Sequence, residues 1–61
     1  MYKMIQVVGT SPKSMSQAIE NAIENLGETA YWFEVVEQRG AIAENKVKEF
    51  QVKINVGVKM D

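Results

Sequence analysis

Trp32 and Gln51 are the residues of this 61-residue sequence best suited to hold a small molecule. The indole of Trp32 is large, planar and apolar, which makes it a stacking platform for a flat ligand; its plainer reading is a subunit-interface or surface residue. The Gln51 amide can donate and accept at once, which suits a heterocycle edge bearing both kinds of group. Alone it means little, because a polar residue on a solvated strand face is ordinary. The chain has no histidine and no cysteine. It therefore has no thiol nucleophile and no imidazole base, and nothing resembles a nucleophile with its activator. Glu34 and Glu37 are no acid–base pair either, since odd spacing on a strand puts them on opposite faces. No enzyme is expected.

The elements that must position these residues follow from periodicity. Tyr2 to Val8 is rich in β-formers and ends at Gly9, predicting a strand. Thr10-Ser11-Pro12-Lys13-Ser14 reads as a loop turning into a helix start. Ser14 and Gln17 have capping-box spacing, with Ser11-Pro12 as an alternative start one turn earlier. Met15, Ala18, Ile19, Ala22, Ile23 and Leu26 recur at helical spacing and form one apolar stripe. Gly27 stands where a left-handed C-terminal cap is wanted. Ala30 to Ala43 again favours strand, and Glu44-Asn45 is a turn centre. In the last segment Phe50, Val52, Ile54, Val56, Val58 and Met60 alternate with Gln51, Lys53, Asn55, Gly57 and Lys59, a strand with one apolar and one polar face.

The order is strand, helix, strand, strand, an α+β fold in one domain spanning residues 1–61. If the sheet is wholly antiparallel, the last strand lies in the middle, giving the order 1-3-2. The first two strands then run parallel, joined by a right-handed crossover through the helix. Folding the hairpin about Glu44-Asn45 places Phe33 near Val56 and Val35 near Ile54, on the helix side. A one-residue slip would set Phe33 against Gly57 and spoil the apolar face. In the favoured register Trp32 faces Gly57 and Gln51 faces Gln38. Trp32, Glu34, Val36 and Gln38 then point away from the helix, together with Gln51, Lys53 and Asn55. Trp32 is left without a partner in its own chain. It is also well separated from Gln51, so a ligand touching both takes them from different chains.

Size points the same way. A domain of about 60 residues buries only roughly 60% of the surface its unfolded chain exposes, so its core is marginal. Disulfides and thiolate metal sites are excluded by composition, and a zinc site built on carboxylates alone is rare. Oligomerisation is the remedy left. Burying an aromatic side chain removes roughly 150–250 Å² from water, which gives such a chain reason to use Trp32 in an assembly. The net charge is -1 with both signs mixed, and Lys53 and Arg39 are too sparse for a nucleic-acid surface. No apolar run approaches the roughly 20 residues of a membrane span. The alternating pattern begins at once, so neither a signal peptide nor a membrane partner is expected, and a cytoplasmic location is.

Several stretches carry a resemblance. Gly9-Thr10-Ser11-Pro12-Lys13-Ser14, Ala18-Ile19-Glu20-Asn21-Ala22-Ile23 and Trp32-Phe33-Glu34-Val35-Val36-Glu37-Gln38-Arg39-Gly40 resemble the bacterial dodecins. Glu49-Phe50-Gln51-Val52 and Val56-Gly57-Val58 complete the pattern, in order and over nearly the whole chain. The resemblance implies an antiparallel sheet partly wrapped around the helix, and a hollow homododecamer with flavins bound in pairs at subunit interfaces. Trp32 stands at the family's stacking tryptophan and Gln51 at the glutamine that bonds the polar edge of the ring. Arg39 matches a basic residue associated with phosphate-bearing ligands. Lys59 holds a second such place where arginine is usual; it keeps the charge but loses the planar fork. The stretch from Leu26 to Tyr31 looks shorter than in other members. The function implied is flavin storage and photoprotection, with FMN the first ligand and riboflavin or a related flavin next. The competing class is a structural oligomer that binds coenzyme A or ions instead.

Overall fold

The computed structural model describes residues 1–60, and its order is β1 (Tyr2–Ser11), α1 (Met15–Glu24), β2 (Ala30–Ala43) and β3 (Lys46–Lys59). The strands form one sheet of order β1-β3-β2, with both pairings antiparallel. This is the expected β-α-β-β arrangement. The last strand made is the central one.

The first strand runs two residues beyond the glycine expected to end it. Gly9 marks a close approach rather than a chain end: a Cβ there would lie 2.0 Å from the Ala18 carbonyl oxygen and 2.7 Å from the Ala22 Cβ. Helix α1 crosses β1 at this point, with its two small buried residues facing the glycine. Ser11 closes the strand, and its Oγ accepts from the Lys13 N–H at 3.0 Å. The alternative start at Ser11-Pro12 is therefore not taken. Ser14, in extended backbone, is the N-cap, and its Oγ accepts from the Gln17 N–H at 3.0 Å. Only half the capping box forms. The Gln17 amide donates forward to Asn21 Oδ1 at 3.0 Å, and Asn21 Nδ2 donates to the Thr10 carbonyl at 2.9 Å, tying helix to strand. The helix also stops sooner than its apolar stripe suggests. Asn25 is the C-cap, and Gly27 adopts the left-handed conformation (φ 77°) two residues further on.

The core is Ala18 and Ala22 from the helix with Val52, Ile54, Val56 and Val58 from β3, all buried. Ile5, Val7, Met15, Ile19, Ile23, Leu26 and Ala30 pack around it, half-buried. Phe33 and Val35 pair with Val56 and Ile54 as expected. The helix does not reach them, however, and they remain 44% and 42% exposed. A ten-residue helix over a sheet of this width covers β1 and β3 and leaves β2 bare.

The hairpin turns at Glu44 (φ 54°) and Asn45 (φ 60°). Two consecutive left-handed residues make the two-residue turn that matches strand twist. Asparagine tolerates this conformation better than glutamate, for which the left-handed region costs roughly 1–2 kcal/mol. Glu44→Asn should therefore stabilise the fold by several tenths of a kcal/mol to about 1 kcal/mol. The check is a higher urea midpoint at unchanged slope; an unchanged or lower midpoint contradicts it.

Candidate functional site

The sheet face opposite the helix carries every residue singled out for binding. Its geometry is set by irregularities in β2, which shifts register between Ala30 and Trp32, Val35 and Glu37, and Ala41 and Ile42. Counted from the turn, β3 gains an extra residue between the Ile42/Val47 and Ala41/Glu49 pairs, and Val36 on β2, at the middle shift, takes it back, so the side chains between the two bulges are out of the expected register. Up to Val35 the expected register holds, with Trp32 opposite Gly57 and Glu34 opposite Asn55. Beyond it Glu37 lies opposite Lys53 and Arg39 opposite Gln51.

Three expectations are corrected by this pair of bulges. Gln51 faces Arg39, and Gln38 instead pairs with Val52, the row on the helix side. Val36 falls at the bulge and has no partner on β3. Glu34 and Glu37 share one face, because their partners Asn55 and Lys53 do. Each faces its own partner on β3. Asn55 Nδ2 donates to Glu34 Oε1 at 3.1 Å, and Lys53 Nζ lies 4.0 Å from Glu37 Oε1. Both members of that ion pair are well exposed, so it contributes little to stability.

Trp32 and Lys59 lie toward one end of this face. A Cβ on Gly57 would fall 2.4–2.5 Å from three indole carbons, so the indole rests on bare backbone. The Tyr2 ring meets it edge-on, with centroids 5.1 Å apart and planes at 69°, and Tyr31 meets Tyr2 at 5.7 Å and 71°. Trp32 thus has partners within its own chain, contrary to the expectation from sequence. It is nevertheless 44% exposed. Lys59 pairs with Tyr2 across β1 and β3, and lines a shallow hollow with Glu28, Thr29 and Tyr31.

Arg39 and Gln51 lie toward the other end. Arg39 Nε donates to Gln51 Oε1 at 2.6 Å, and Gln51 Nε2 donates to Glu49 Oε1 at 2.8 Å. The Gln51 amide is therefore oriented from both sides. Between the two ends runs a polar bridge in which Gln6 Nε2 donates to Asn55 Oδ1 at 3.1 Å. Six residues of β3 separate Gly57 from Gln51, about 20 Å at the rise of a strand. The separation expected within one chain is what the fold gives.

Sequence reasoning missed Tyr2, Tyr31, Glu49 and the role of Gly57. Tyr2 carried a usable signal: pairing β1 with the polar face of β3 puts it on the Trp32 side. Among the described residues, no helix is long and apolar enough to cross a membrane.

A single-layer sheet with one helix on one face, and an aromatic cluster and an oriented amide at opposite ends of the other, defines a small α+β binding protein. The dodecin family model matches residues 1–61. A dodecin of Thermus thermophilus is 41% identical over 64 residues, covering 100% of this chain and 93% of that protein. Among solved structures, a dodecin from Streptomyces davaonensis superposes with a TM-score of 0.94 at 38% identity, covering 100% of this chain and 94% of its own. One from Streptomyces coelicolor gives 0.89 at 35%, covering 100% and 91%. The chain belongs to the dodecin family.

Proposed function

We propose that this protein is a flavin-binding storage and photoprotection protein that works as a homo-oligomer, a dodecamer by family resemblance, and catalyses no reaction. The observation that carries the reading is Trp32, held against Gly57 by one face and still half exposed. The residues present fit a flavin. Trp32 offers a flat apolar surface, and the Gln51 amide, already oriented by Arg39 and Glu49, can exchange partners with a ring edge that both donates and accepts. Arg39 and Lys59 provide charge for the phosphate of FMN; riboflavin would bind without that term. A bound flavin supplies a chromophore whose excited state the nearby indole quenches.

The distance between Trp32 and Gln51 sets a condition on this reading. No tricyclic ring spans about 20 Å of strand, so the Gln51 end of one copy must meet the Trp32 end of another. Assembly is then part of the binding site. The uncovered Phe33 and Val35 supply apolar surface for it.

The test is to titrate FMN into purified protein while following visible absorption, flavin fluorescence and mass by light scattering. The expected result is a quenched, yellow complex with a mass many times 6.9 kDa. A large assembly that neither binds nor quenches FMN overturns the flavin reading and favours a structural oligomer for coenzyme A or ions. A folded monomer at micromolar concentration that binds FMN overturns the shared site.

A further inference from the structure

We infer that Gly57 and Tyr2 are positioning residues for the Trp32 platform: Gly57 lets the indole lie flat on β3, and Tyr2 holds its edge, so that the opposite face is presented to a planar heterocycle. The inference rests on the flavin reading and assigns the geometry of its site to two residues outside the ligand-contacting set.

The argument is one of distances. A Cβ at Gly57 would lie 2.4 Å from Cε2, 2.4 Å from Cζ2 and 2.5 Å from Cδ2 of Trp32. Three bonded ring atoms can be nearly equidistant from one point only if that point lies over the face of the six-membered ring. The indole therefore lies face down over the glycine, and an added Cβ would sit well inside the ~3.5–4.0 Å at which carbon atoms normally meet. Any side chain at position 57 would lift or tilt it. Gly57 itself is buried, while Trp32 stays half exposed. The ring therefore has one covered face and one open face.

Tyr2 fixes the remaining freedom. At 5.1 Å and 69° it makes an edge contact with the indole, and Tyr31 backs it at 5.7 Å. Edge-to-face geometry favours one relative orientation of two rings. The indole cannot slide toward β1 without running into the Tyr2 ring, nor back toward β2 without losing this contact. A stacking surface fixed before the ligand arrives avoids the ordering cost a swinging side chain would incur on binding. This also gives a reason for glycine in the middle of a strand whose neighbours are valines.

The test uses Gly57→Ala, Tyr2→Leu and Tyr2→Phe in the full chain. Trp32 is the only tryptophan, so near-ultraviolet circular dichroism and fluorescence anisotropy report its orientation and freedom without any ligand. FMN titration then reports the consequence. Gly57→Ala should keep the parent's far-ultraviolet spectrum and assembled mass, lose the fixed indole signal, and bind FMN at least tenfold more weakly. Tyr2→Leu should weaken binding several-fold, while Tyr2→Phe, which keeps the ring, should match the parent. The inference is overturned if Gly57→Ala leaves the indole signal unchanged, or changes it while FMN binds as in the parent. If Gly57→Ala fails to fold, the tyrosine pair decides, and a Tyr2→Leu variant equal to the parent overturns the role of Tyr2. Failure of the parent itself to bind FMN sinks the flavin reading instead, and the indole signal still reports whether the seat exists.

Discussion

Trp32→Ala should abolish most flavin binding while leaving the fold intact. Aromatic stacking of a heterocyclic base is worth ~1–3 kcal/mol per contact. If two tryptophans flank each pair of flavins, as the family resemblance implies, the loss falls on both sides of the pair. Folding should survive because Trp32 lies on the sheet face away from the core of Ala18, Ala22, Val52, Ile54, Val56 and Val58. The change also frees Tyr2, which has Tyr31 as a second ring neighbour. Gln51→Ala is the informative comparison. It removes neutral hydrogen bonds worth about 0.5–1.5 kcal/mol and should weaken FMN less than Trp32→Ala does. Flavin fluorescence, quenched by the parent, should recover fully only with the tryptophan variant. A Trp32→Ala protein that assembles, binds and quenches like the parent would make the indole ordinary surface.

Gly9→Ala should have the largest effect on the fold itself. Its Cβ would meet the Ala18 carbonyl oxygen at 2.0 Å, and that oxygen belongs to helix backbone that no rotamer can move. Relief requires lifting the helix off β1, which opens the packing of Ala18 and Ala22 together. Overpacking a core typically costs about 1–3 kcal/mol, more where backbone must shift, and a domain of this size has little stability to lose. The expected result is loss of the cooperative urea transition and of the assembled species. Gly40→Ala makes the contrast, since its Cβ would lie 3.2 Å from the Glu49 carbonyl oxygen and needs an adjustment of only a few tenths of an ångström. Equal midpoints for Gly9→Ala and the parent would show that the helix does not seat on β1 as described.

Gly9 also marks a place where sequence reasoning stops. Periodicity was enough for the element order and for Val52, Ile54, Val56 and Val58 as the buried row, because one strand with strict alternation leaves a single choice of face. Counting from the turn at Glu44-Asn45 places Phe33, Val35 and Trp32 correctly because the extra residue on β3 and Val36 on β2 cancel. Neither bulge was legible. Runs as uniformly strand-like as Val35-Val36-Glu37-Gln38-Arg39 and Val47-Lys48-Glu49 give no local signal for an extra residue, yet the two bulges together decide which of Gln38 and Arg39 meets Gln51. Gly9 was read as punctuation because a missing side chain looks the same at a strand end and under a helix. Of the four site residues, Trp32 and Gln51 could be argued from their own chemistry, whereas Arg39 and Lys59 came only with the resemblance. Tyr2 went unnoticed because its importance lies in a contact between the two edge strands, which no local pattern encodes.

The place of β3 has a consequence for how the molecule comes into being. Every buried side chain of the sheet's apolar row comes from Val52, Ile54, Val56 and Val58, and both other strands hydrogen-bond to β3 rather than to each other. During synthesis β1, α1 and β2 therefore emerge with no shared partner to pair with, and the nascent chain has no sheet to join. Most of the contacts that organise it are between distant positions, and pairings of that kind form slowly because loops must close before they are gained. Folding waits for β3 to clear the ribosome. The fold thus forms in one step once β3 is available, rather than element by element along the growing polypeptide.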